Sequence, residues 1–477
     1  MRIFVQHIVI ISLFLFPKII FSQVKELTDT SKESTENTLS FEEYLGYVKK
    51  HHPIIKQAEL SLSTGEANLL KARGGFDPKI EVDYDRKKFK KTEYFDKLNA
   101  TFKIPTWYGV EFKANFEENT GEYLDPSFTV PEDGLYSAGV SLSLAQGFLI
   151  NERMASLKKA QFFKEQSKAN RDLLVNNLLF DASKAYFDWV EATNEQHIYE
   201  TFLNNASTRL KAIERSVEEG EKAAIDITQA TITLNNRKLN LEAAKLKRVK
   251  TSLSVSNFLW LDGVPMEIKE EIIPLLPEIS NPEFENNISE KTLLEKHPKL
   301  LMLDAKINSL KVDRKLKRNK LLPKIDLQYN FLSQDYDQVN SFNTANYKSF
   351  VNFSFPLFLR KERGELKLTK IKLQDTNFER VATSLNLQNK VEAISAEIKS
   401  LDRQNSLIAT IVIDYETLVK AEERKFFLGE SSLFLINSQE QKLINSKLKK
   451  NKLIMKKLST TVQFYNLLGV AETITEK

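Results

Sequence analysis

The 477 residues include no cysteine. Disulfides, thiolate zinc sites, iron–sulfur clusters and cysteine nucleophiles are therefore excluded. An acyl anchor of the lipoprotein kind is excluded as well, since it needs a cysteine after the leader. Histidine is scarce: His7, His51, His52, His197 and His297 are the whole set. No two of them stand at the i, i+4 spacing of a zinc-binding helix. A Gly-rich phosphate loop and a Gly-x-Ser-x-Gly elbow are both missing. The excess of one sign of charge is small, 69 Lys plus Arg against 64 Asp plus Glu, and gives no reason to expect nucleic acid as a partner. A mean hydropathy of −0.35 excludes a polytopic helical membrane protein, but not a membrane β-barrel, whose strands alternate. Neither catalysis nor a cofactor nor a metal is expected from such a chain.

Glycine and proline are also few, 14 and 13, and their positions are informative. Residues 152–219 and 221–262 contain neither, with Gly220 between them. Residues 365–428 and 430–468 are equally clean, separated by Gly429. Both pairs carry apolar residues at spacings of three and four, as in Leu174, Leu178, Ala185 and Trp189, which predicts long helices turning at the two glycines. A helix of 68 residues spans about 100 Å at about 1.5 Å per residue, more than a globular core requires.

The order repeats at the level of residues. His52-Pro53 is followed 25 positions later by Pro78-Lys79-Ile80, and His297-Pro298 is followed 25 positions later by Pro323-Lys324-Ile325. Arg215 and Arg424 each precede a turn glycine by five. These correspondences predict an internal duplication. The first repeat covers 23–262, with a β segment at 78–147; the second covers 288–477, with a β segment at 323–358. A proline-rich linker, 263–287, joins them at the equator of the rod. Each repeat reads as short helix, β segment, long helix, glycine turn and medium helix. The first short helix spans about residues 40–73 and opens on the capping pair Ser40 and Glu43. Residues 1–22 read as an export signal: Arg2, an apolar stretch from Ile8 to Phe16, and Ser22 before Gln23.

The β segments hold 21 of the 48 aromatic residues in 106 positions. Their strands alternate. Glu81, Asp83, Asp326 and Gln328 fall on one face; Ile80, Val82, Tyr84, Ile325, Leu327 and Tyr329 fall on the other. A soluble sandwich alternates in the same way. Export, aromatic enrichment and attachment to 100 Å helices favour a bilayer barrel, with the first set facing water in the lumen and the second facing lipid. The basic runs Arg86 to Lys91, Lys311 to Lys320 and Lys447 to Lys452 read as solvated surface, with contact to lipid phosphates as the alternative.

The duplicated order, the paired His-Pro and Pro-Lys-Ile stretches, the Arg-x4-Gly turns and the stretch Ser354 to Gly364 resemble the TolC family of outer-membrane efflux proteins. That resemblance implies a membrane α+β fold: a homotrimer whose strands form one outer-membrane β-barrel, continuous with a long α-helical barrel in the periplasm. It implies a passive exit duct for efflux or type I secretion, docked on an inner-membrane pump through a periplasmic adaptor. It places the tip and gate near Gly220 and Gly429, with Asp226 at the position of a family acidic residue. Where some members carry aspartates after the second turn, this chain has Leu435 and Ser438, with Phe434 beside them, so the resemblance leaves an apolar constriction or ordinary packing between helices open. The rival class is an exported coiled-coil surface, structural or adhesion protein with a small β domain.

Overall fold

A computed structural model describes residues 37–279, 294–337 and 343–470. Residues 1–36 with the expected export signal, residues 280–293 at the end of the linker and the start of the second repeat, residues 338–342 and the last seven residues lie outside the described residues. The chain divides after Thr38 into two units, and the helices and strands of the fold belong to the second, Leu39–Lys477.

Among the described residues seven helices carry the fold: α1 (Phe41–His51), α2 (Pro53–Arg73), α3 (Glu152–Glu218), α4 (Ile225–Ser256), α5 (Pro298–Asn319), α6 (Arg360–Phe427) and α7 (Leu433–Leu468). α3 has 67 residues and α6 has 68, about 100 Å each. The expected helix over 40–73 is two helices, because Pro53 has no N–H to continue α1 and forces His52 into an extended conformation (ψ 134°). The repeated His-Pro pair is a helix start. His52 Nδ1 accepts from the Ile54 N–H at 3.2 Å, and His297 Nδ1 accepts from the Lys299 N–H at 3.1 Å, each followed by proline in the first helical position. Both caps need an unprotonated Nδ1. Burial lowers both imidazoles from their ordinary range, His297 to about 4, with Lys299 adding to the effect there. The contribution of His297 is therefore complete above its unfolded value and is lost as pH falls through about 4.

The main core sits midway along α3. Val175, Leu178, Leu179, Tyr186, Phe187 and Trp189 pack there against Phe41, Tyr44, Leu45 and Val48 of α1 and Met455, Leu458 and Val462 of α7. Tyr44 donates to the Ala182 carbonyl at 3.3 Å, and the Tyr186 hydroxyl lies 2.8 Å from the carbonyls of Leu39 and Leu275. Burial pushes both phenols well above their usual range, so they remain neutral donors. Through Leu275 the segment that follows α4 is thus tied to the middle of the rod.

Around the long helices the order is consistent. Near the strands, α3 lies between α2 and α5, and α6 lies beyond α5; toward the glycine turns, α3 lies between α4 and α7, and α6 lies beyond α7. Above them stands one antiparallel sheet of six strands: β1 (Lys79–Phe89), β2 (Thr92–Pro105), β3 (Val110–Thr120), β4 (Leu135–Ala145), β5 (Lys324–Ser333) and β6 (Tyr347–Ser354). Their spatial order is β6-β5-β4-β3-β2-β1, so both repeats build a single sheet, with β4 pairing β5 at the junction. The strands approach so closely at Gly139 that a Cβ there would lie 2.1 Å from the Tyr329 carbonyl oxygen.

Candidate functional site

Register decides which strand residues share a face, because directly paired residues project to the same side. One ladder runs Ile80, Phe102, Ala114, Ala138, Phe331, Tyr347 across all six strands. Val82, Tyr84, Ile325, Leu327 and Tyr329 belong to this apolar face, together with Phe112, Val140, Val351 and Phe353. Ile80, Val82, Tyr84, Val351 and Phe353 are all exposed, so the face is an uncovered apolar belt. Glu81, Asp83, Asp326 and Gln328 lie on the opposite face. There Lys103 pairs with Glu81, Lys113 donates to Gln328 at 3.1 Å, Ser143 donates to Asp326 at 2.8 Å and Lys348 pairs with Glu117 at 3.3 Å. The sheet therefore has one polar, hydrogen-bonded face and one apolar face over its whole width. Among the described residues no helix is long and apolar enough to cross a membrane.

At the other end of the rod the two turns share one geometry. Gly220 has φ +79° and Gly429 has φ +78°. The Glu221 N–H donates to Ser216 O at 2.8 Å and the Gly220 N–H to Val217 O at 3.0 Å. The Glu430 N–H donates to Lys425 O at 2.9 Å and the Gly429 N–H to Phe426 O at 3.1 Å. Both are Schellman ends, which need a left-handed residue and so favour glycine. The helices that leave the turns differ. α7 is capped by Ser432, whose oxygen accepts from the Leu435 N–H at 3.3 Å. α4 has no side-chain cap, and Asp226 in its first turn places a carboxylate at the positive end of the helix.

Leu433 and Ile436 of α7 are buried with Ile213, Ala230 and Phe426, closing an apolar core among all four helices. Phe434 (68 % exposed) and Leu435 (44 % exposed) point away from that core, and Ser438 is half-buried. Asp226 is half-buried and makes no hydrogen bond or ion pair with Phe434, Leu435 or Ser438 among the described residues.

About 16 Å from the turns, eleven residues at about 1.5 Å each, lies a cluster the sequence reading missed. Glu440 of α7 is 0 % exposed and pairs with Arg209 of α3 at 3.0 Å and Arg237 of α4 at 3.2 Å. Arg209 also reaches Glu423 of α6 at 3.1 Å, and Arg237 donates to Gln441 at 2.6 Å. Glu440 joins three helices directly, and Arg209 extends the cluster to the fourth through Glu423. The signal was available: Glu440 continues the stripe Leu433, Ile436, Leu443, Ile444, where a charge is buried unless the helix is unpartnered.

An exposed apolar belt above a 100 Å helical rod with two glycine-turned tips defines a class, the membrane-embedded duct with a helical extension. The chain belongs to the outer membrane efflux protein family, whose model matches residues 46–259 and 291–470, one segment in each repeat. Its fold is shared by the outer membrane channel CmeC of Campylobacter jejuni (14 % identity, TM-score 0.65, 90 % of this chain and 85 % of that one). It is shared equally by MtrE of Neisseria gonorrhoeae in its open state (12 %, 0.66, 90 % and 89 %) and by VceC of Vibrio cholerae (11 %, 0.63, 89 % and 95 %). No curated relative matches. The protein is an outer-membrane efflux channel protein and not an enzyme, which sets aside the adhesion reading.

Proposed function

We propose that three copies of this chain close into one duct that carries substrates, delivered by an inner-membrane pump and a periplasmic adaptor, across the outer membrane to the exterior. The observation that carries this reading is that sheet and helices end at the same two edges. β1, α2 and α4 lie at one edge; β6 and α6 lie at the other. Both edges are apolar and uncovered. Ile225, Ile232, Leu239, Leu246 and Leu253 recur every seventh residue along α4 and are all exposed, as are Ile371, Phe378 and Leu385 along α6. Unlike edges that fit one another make a head-to-tail interface, which forms a ring when the rotation closes.

All six strands enter the wall. Six strands about 4.8 Å apart and tilted about 40° span about 38 Å. Four helices up to about 10 Å apart span about 40 Å, so sheet and helix layers have matching widths; four strands would span only about 25 Å. The trimer then has eighteen strands, lined by Glu81, Asp83, Asp326 and Gln328 and lipid-covered at Ile80, Val82, Tyr84, Ile325, Leu327 and Tyr329. The natural absence of cysteine makes the test clean. Cysteines introduced in turn along β1 and β6, such as at Val82 and Val351, are expected to yield disulfide-linked trimers in native membranes. Cross-linking of β6 to β3 instead would sink the six-strand wall.

The gate lies between the turns and the Glu440 cluster, formed by Asp226, Phe434, Leu435 and Ser438. It is closed chiefly by apolar side chains rather than by a ring of carboxylates. Phe434→Ser and Leu435→Ser are expected to raise single-channel conductance in planar bilayers more than Asp226→Asn does. Unchanged conductance in all three removes these residues from the gate.

A further inference from the structure

At the end of the sheet farthest from the helices, β1 and β2 are joined by Lys90-Lys91, with φ of +49° and +68°. A two-residue turn with positive φ at both positions favours Asn-Gly, which enters that region with little strain. Lysine is a poor choice for the backbone there. A backbone outlier kept at an exposed tip points to a role for the side chains.

The surroundings say what that role is. Arg86 is occupied by Glu93 and by Asp96 at 3.2 Å, and Lys97 by Asp85 at 3.3 Å. Lys87, Lys88, Lys90 and Lys91 have no ion pair among the described residues. Glu122 comes to the same end through its backbone bond to Glu93, which still leaves the lysines in excess. Beneath them lie three rings: Phe89 and Tyr94 with centroids 6.4 Å apart, and Tyr94 and Tyr123 at 4.8 Å. Lys87 Nζ sits 4.7 Å from the Tyr94 centroid and Lys90 Nζ 5.4 Å from that of Phe89. The apolar ladder ends at the pair Tyr84 and Leu98, and the next pair on that face is Arg86 and Asp96. The first free lysine on that face is Lys88, about 13 Å along the strand beyond Tyr84, four residues at about 3.3 Å, and Lys90 and Lys91 stand at the turn, whereas Lys87, paired with Phe95, falls on the face of Glu81 and Asp83. Free cations at the rim of the sheet, just past an apolar belt, match the headgroup layer of a bilayer.

We propose that the Lys88–Lys91 tip binds the phosphate-bearing headgroups of the lipid leaflet around the barrel, tying the edge hairpin to an anionic lipid surface. The inference rests on the membrane reading above. Free phosphate in solution is not the ligand, since it would make no use of the adjoining belt.

The full-length protein and the variants K88S and K90N/K91G are inserted into vesicles of phosphatidylcholine with or without a bisphosphorylated glycolipid, lipid A. Insertion is read by flotation, and lipid retained after detergent extraction is counted by native mass spectrometry. The wild type is expected to retain lipid A over phosphatidylcholine, less so at high salt. Each variant is expected to retain roughly tenfold less. K90N/K91G melts no lower than the wild type, because Asn-Gly suits the turn. Undiminished retention in variants that still float with the vesicles overturns the proposal and leaves the membrane reading standing, as does displacement of the lipid by equimolar inorganic phosphate. Failure of the wild type to float overturns both.

Discussion

The two helical hairpins, α3–α4 and α6–α7, descend to turns of the same geometry, yet aligned on Gly220 and Gly429 their interiors are not the same. Arg209 and Arg237 of the first stand where the second has Leu418 and Ser446. Glu440 of the second stands where the first has Thr231. One hairpin supplies the buried cations and the other the buried anion. Identical copies could not neutralise each other in this way, since each would bring the same charge to the contact. Duplication accounts for the shape of the wall, and divergence for the specific join between its unlike halves.

The largest effect is expected where that join is cut. Glu440→Ala leaves Arg237, itself 3 % exposed, without its carboxylate, at a cost of about 3–5 kcal/mol. Thermal melting of the detergent-solubilised protein checks it. Replacing all three charges, in Arg209→Met/Arg237→Met/Glu440→Met, should restore most of the loss, since a packed apolar cluster holds as well as a buried ion group. If the single variant melts like the wild type, the two hairpins are held by their apolar cores alone and the charge asymmetry carries no energy.

Much of this was legible from residues alone, for a physical reason: glycine and proline are scarce enough here that they mark element ends. The turns at Gly220 and Gly429 and the alternation of Ile80, Val82 and Tyr84 with Glu81 and Asp83 could be read directly. So could the kinship with outer-membrane efflux proteins, which rests on order and repetition rather than on any one motif. The break at His52 was harder. A proline preceded by a side chain that caps its own new helix looks, in sequence, like a bend in one long helix. Glu440 was overlooked for a different reason. A single glutamate in a helix rich in lysine reads as solvated surface until the apolar stripe on either side of it is seen to be covered. The order of the six strands was not legible, because hydrophobic alternation says which face is wet and not which strands are neighbours.

The smallest expected effect is also the sharpest comparison of the two halves. Gly220→Ala and Gly429→Ala each force a side chain into the left-handed region, at about 1–2 kcal/mol by backbone conformation. Nothing lies within 4 Å of the Cβ at either position, so no clash separates them within one protomer. The two variants should therefore lower the melting temperature equally when the protein is dissociated. Assembled, they need not remain equal. A greater loss at Gly429 would mean that the second turn, with Phe427, Leu428 and Phe434 exposed around it, is enclosed by neighbouring copies while the first stays open. Equal losses in the assembled state would mean that both tips face solvent and that the closed aperture is held from the side chains of α7, not from the turns.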